Sequence, residues 1–125
     1  MGGEALVRVG LSGAWELVSC TITHGDGRVE HPFGSAPNGL IAYTADGWMS
    51  CQMAGGPAGY SAYFGTVTVD EAAATVIHHV RGSSHPWISG DQPRRYRIAG
   101  QGLVLSAETD GGVTEVVWRR PSAQG

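Results

Sequence analysis

Turn-forming residues interrupt this chain so often that no long helix fits between them, and that spacing constrains the fold more than any other feature. The interruptions read His24-Gly25-Asp26-Gly27, Ala36-Pro37-Asn38-Gly39, Ala45-Asp46-Gly47, Gly55-Gly56-Pro57, Asp70-Glu71, Gly82-Ser83-Ser84, Gly100-Gln101-Gly102 and Asp110-Gly111-Gly112. Gly, Asn, Asp and Pro supply the backbone angles that tight turns require. Between them lie runs rich in Val, Ile, Thr, Tyr and Trp, which pack well on a pleated surface. Strands are therefore expected over 14–23, 27–31, 40–44, 47–53, 60–69, 74–81, 93–99, 102–108 and 114–120. Links this short pair successive strands antiparallel. A turn or two of helix fits only in 2–12 or 33–38. The 20 glycines among 125 residues, with 15 % charged residues, suit the same all-β reading of a sandwich or barrel.

The bulk properties set further bounds. The chain has the length of one domain, 1–125, and shows neither an internal repeat nor a linker. A net charge of -3 without any basic run speaks against a nucleic-acid partner. No stretch approaches the roughly 18 apolar residues of a membrane span, so no membrane partner is expected. Met1 to Gly10 lacks the basic start, apolar run and cleavage site of a secretion signal, which points to a cytoplasmic protein. Cys20 and Cys51 fall on different strands and are expected as free, buried thiols. His24, His31, His78, His79 and His85 form no metal-ligand spacing, so neither a metal nor any other cofactor is expected. No nucleophile elbow and no phosphate-cradling loop appears.

Alternation along each strand assigns its faces. In 74–81, Val76 and Val80 share parity with His78, which places His78 inside and His79 and Arg81 outside. In 93–99, Tyr96 and Ile98 bring Arg94 inward. In 60–69 the inward set is Tyr63, Val67 and Val69. Leu103 and Leu105 set the inward parity of 102–108 and leave Glu108 on the other face. Strands 27–31 and 47–53 alternate too poorly to assign.

Gly13-Ala14-Trp15 opens the first strand, and Val116-Val117-Trp118-Arg119-Arg120 closes the last. A small barrel has an end to fill. Trp15 can plug it, with Arg120, which shares parity with Val116 and Trp118, stacked across the indole face.

Longer strings carry a resemblance. Ser12-Gly13-Ala14-Trp15-Glu16-Leu17-Val18-Ser19, the hairpin Tyr43-Thr44-Ala45-Asp46-Gly47-Trp48-Met49-Ser50, Ile77-His78-His79-Val80-Arg81-Gly82-Ser83, and Gly90-Asp91-Gln92 followed by Arg94 are similar to the bacterial and fungal lipocalin-like domain family. The resemblance runs from about Leu11 to Arg120. It implies a lipocalin-type calycin fold, an up-and-down antiparallel β-barrel of eight to ten strands around a small-molecule cavity. Some barrels of this shape are cyclases or isomerases of natural-product pathways, and others only hold ligands.

Several residues can carry chemistry in such a barrel. His78, facing inward near Tyr63 and Arg94, is a candidate general acid or base, or else a buried histidine satisfied by a neighbour. Arg94 either meets an anionic group of a ligand or pairs with Asp91. Tyr63 and Tyr43 can orient a carbonyl or donate a proton, or else pack their rings and bond backbone groups. His85-Pro86-Trp87 occupies the position of a mouth loop, as a ligand-stacking lid or as an anchored turn. Trp48, Tyr43, Trp87, Tyr96 and His85 complete the expected ligand-binding set.

Two functions follow. One is a cofactor-independent cyclase or isomerase acting on a hydrophobic, polyketide- or terpenoid-like intermediate, with His78 as acid/base and Arg94 and Tyr63 stabilising an oxyanion. The other is a non-catalytic carrier of a hydrophobic ligand. The partner in either case is a small organic molecule, and the protein is expected as a monomer or homodimer.

Overall fold

All nine expected strands form, with small shifts at their ends: β1 (Gly13–His24), β2 (Val29–Glu30), β3 (Asn38–Tyr43), β4 (Trp48–Gly55), β5 (Gly59–Asp70), β6 (Thr75–Ser83), β7 (Asp91–Ala99), β8 (Gly102–Thr109) and β9 (Gly112–Arg119). The computed structural model describes residues 2–109 and 111–122. Asp110, expected to open the last turn, lies outside the described residues, and so does Met1. Of the two segments where a helix fitted, only the first holds one, α1 (Gly2–Val9).

Each strand pairs antiparallel with its successor from β3 to β9, and β1 pairs with both β3 and β9. Eight strands therefore close a barrel, with no free edge between β9 and β1. β1 is long enough to do this because Gly13 to Glu16 pair with β3 while Glu16 to His24 run along β9. A bulge between Leu17 and Ser19 resets its alternation, so Leu17 and Cys20 both point inward. β2 is a two-residue extension on the far end of β1.

One end of the barrel is sealed by the chain's own start. Leu6 and Leu11 are fully buried there, and Trp15 donates its indole N–H to the Leu11 carbonyl at 2.9 Å. The Arg120 guanidinium lies 3.6 Å from the Trp15 ring centroid and donates to the carbonyls of Ala14 (3.1 Å) and Gly10 (3.0 Å). Arg119 points outward to Glu16 at 3.0 Å, as alternation requires. Gly13 has a φ of +102°, and a Cβ there would sit 3.0 Å from the Arg120 Nη1. The backbone angle favours glycine, and any side chain there would also push the Arg120 guanidinium off its seat. The opposite end is a mouth framed by Phe33 and by the β6–β7 loop with Trp87 and Ile88. Among the described residues, no helix is long and apolar enough to cross a membrane.

Candidate functional site

Strands β5 to β7 deliver Tyr63, His78, Gln92 and Arg94 to the interior. Directly opposed residues of a sheet share a face, and the register sets Cys51 against Tyr63, Val67 against His78, His78 against Gln92 and Val76 against Arg94. Tyr63, His78, Gln92 and Arg94 thereby line one cavity of about 760 Å³. Its apolar walls include Ile41, Met53, Leu105 and Val116.

His78 is 1 % exposed and is gripped from both sides. Its Nε2 lies 2.6 Å from the Tyr43 hydroxyl and its Nδ1 lies 2.7 Å from the Tyr63 hydroxyl. Burial, with the positive charge of Arg94 and His79 adding to it, pushes the imidazole down to about 3. The ring is therefore neutral at physiological pH, with one N–H and one lone pair to share between two tyrosines. Burial also raises both phenols well above their ordinary value, so each is a hydrogen-bond donor and not a base. Burial pushes the Cys51 thiol up to about 12, which leaves it inert as a nucleophile. Cys20, also free and buried, is raised by burial as well.

Arg94 spends its contacts locally, donating to the Pro93 carbonyl at 2.8 Å and to the Gln92 Oε1 at 3.0 Å. The expected pairing with Asp91 does not form. Asp91 instead faces outward and holds the Nδ1 of His79 at 2.7 Å, because the register makes those two residues direct cross-strand partners. Among the described residues no carboxylate lies within ion-pair distance of Arg94. The Gln92 amide donates to the Ser89 carbonyl at 2.8 Å, so both ends of that side chain are already bonded.

The expected ligand-binding residues divide. Trp87 lies on the cavity at its mouth, 75 % exposed, with His85 stacked on it at a centroid distance of 4.5 Å. Tyr43 is buried behind His78 and does not line the cavity. Tyr96 packs against the core and is likewise off the cavity. Trp48 is placed wrongly by the sequence reading: it is on the outer face, 43 % exposed, beneath the Arg81 guanidinium at 5.6 Å. In β4 it is Met49, Cys51 and Met53 that turn inward. Ser50 and Gln52, polar and on the parity of Trp48, were the signal for that facing. Gln92 and Trp118 line the cavity and were not singled out as contacts. The buried Trp118 indole N–H has no hydrogen-bond partner among the described residues. No cluster of metal-ligating side chains occurs among them either.

Residues 12–58 match the family model of the Lipocalin-like domain, a stretch that holds β1 to β4 and with them Trp15, Tyr43 and Cys51. No curated protein matches the chain.

Proposed function

The chain has a lipocalin-type fold, and from that premise we propose that it is a binding module that takes a small hydrophobic organic molecule into its barrel. The observation that carries this reading is the cavity. Its volume of about 760 Å³ falls within the range of small-molecule sites, and most of its wall surface is apolar. One end is sealed by Trp15 and Arg120, which leaves the side of Phe33 and Trp87 for entry.

The bonds of His78 favour this reading over acid/base catalysis by that residue. A general acid or base needs a proton to give or a free lone pair near neutral pH. His78 is neutral down to about 3 and both its nitrogens are engaged by tyrosines. Its role in this reading is to hold two hydroxyls in place. Were the barrel a cyclase or isomerase, its proton donor would be Tyr63.

The test uses a neutral dye, N-phenyl-1-naphthylamine, whose emission rises in apolar surroundings. The expected result is saturable enhancement in the wild type and its loss in Met53→Trp, which fills the cavity. Enhancement that survives Met53→Trp unchanged would place the dye elsewhere and remove the support for internal binding.

A further inference from the structure

The hydrogen bonds around His78 have a direction, and that direction defines the chemistry of the ligand. A neutral imidazole between two hydroxyls allows two arrangements. In one, Nε2–H donates to Tyr43 and Tyr63 donates to Nδ1. The Tyr43 proton then has no acceptor, since His78 is its sole hydrogen-bond partner among the described residues. Leaving such a group unpaired in a buried position carries a full desolvation penalty. In the other, Tyr43 donates to Nε2, Nδ1–H donates to the Tyr63 oxygen, and the Tyr63 proton points onward. Tyr63, unlike Tyr43, lines the cavity, where a ligand can accept that proton. The second arrangement pairs both nitrogens of His78 and the Tyr43 hydroxyl, and leaves the Tyr63 proton for a group in the cavity.

Arg94 lines the same cavity, near enough for its charge to act on the Tyr63 phenol, and of its five N–H donors the described bonds engage two acceptors. Glu108 and Arg95 also border the cavity, but both are exposed at its rim, and Glu108 makes no ion pair with Arg94. Of the polar groups on β5 to β7, Tyr63 and Arg94 thus offer donors and a positive charge, while the acceptors of His78 and Gln92 are occupied. The hydroxyls of Ser61, Thr75, Ser106 and Thr114 can donate as well as accept. Resting on the binding reading above, we infer that the ligand is an organic oxyanion on an apolar body (a carboxylate, enolate or phenolate) whose oxygen is held by the Tyr63 hydroxyl and Arg94. Tyr43 does not touch the ligand; it is a positioning residue that sets the direction of the relay through His78.

The test is displacement of N-phenyl-1-naphthylamine at pH 8 by three ten-carbon chains: decanoate, decanol and decylamine. Wild-type protein should prefer decanoate over decanol by roughly 10-fold to 100-fold, as a charge-assisted hydrogen bond implies, with decylamine weakest. Arg94→Gln and Tyr63→Phe should each shrink that preference while still binding the dye. Tyr43→Phe should shrink it too, since His78 then gains by accepting from Tyr63 and turns that proton away from the cavity. His79→Gln should leave it unchanged. A merely structural role for Tyr43 would lower affinity for all three chains equally and overturn the relay. Should Tyr43→Phe fail to fold, His78→Gln reports on the same relay. Equal displacement by decanoate and decanol, with the dye bound and displaced, overturns the oxyanion inference and leaves the binding reading standing. Failure of the wild type to bind the dye at all overturns both.

Discussion

At the scale of single residues, the buried imidazole ties the site to stability. His78 is held down to about 3 when folded, against an ordinary value of 6.5. Between those values the unfolded chain binds a proton that the folded barrel does not, so this contribution is complete above about 6.5 and is lost as pH falls toward about 3. From pH 7 to pH 5 the loss from this residue is about 2 kcal/mol by that linkage. Chemical denaturation at the two pH values should show it, and His78→Gln should remove that share of the pH dependence. An equal pH effect in wild type and variant contradicts the assignment. Strand parity alone separated His78 from His79 and sent Arg94 inward, because β6 and β7 alternate cleanly. It did not reveal Tyr43 as the partner of His78. The two belong to strands that are not neighbours in the sheet, so no pairing rule links them. Trp48 was misplaced for another reason: β4 carries large apolar groups on both parities, and only its polar pair, Ser50 and Gln52, marks the outer face.

At the scale of elements, barrel closure rests on the two ends of the chain meeting. β1 meets β9 along most of its length, and Arg120 lies across Trp15. Trp15→Ala should cost roughly 3–5 kcal/mol, the usual loss for a fully buried large aromatic. Arg120→Ala should cost less, about 1 kcal/mol for a guanidinium stacked on the indole at a partly exposed site. Arg119→Ala should lie near zero, since its partner Glu16 is half-exposed and surface pairs contribute little. Thermal melts of the three variants rank them, and similar losses at Arg119 and Arg120 contradict the parity argument. These elements were legible because turn residues fall between every pair of strands. The bulge at Leu17/Ser19 was not, since nothing in Val18 announces an extra residue. The Asp91 pairing misled for the same kind of reason: nearness in sequence to Arg94 counted for less than the register that sets Asp91 opposite His79.

At the scale of the whole molecule, one end is shut and the other is open to ligand. Of the four tryptophans, Trp87 and Trp118 line the cavity, Trp15 lies in the sealed end and Trp48 faces outward. Single-tryptophan variants should therefore divide on binding decanoate. Emission from Trp87 and Trp118 should change, while emission from Trp15 and Trp48 should not. A response at Trp48 with silence at Trp87 would point to the outer face, where Leu40, Trp48 and Phe64 are exposed. The cavity was implied by the lipocalin-like strings, but its size and polar lining depend on side chains from strands far apart in sequence. The measurement that reaches the central claim most directly is a crystal structure of the protein with decanoate. The account predicts the alkyl chain inside the barrel between Ile41 and Val116, with a carboxylate oxygen about 2.5–3.0 Å from the Tyr63 hydroxyl. Decanoate seated over Leu40, Trp48 and Phe64, with the Tyr63 hydroxyl bonded to His78 alone, would contradict it.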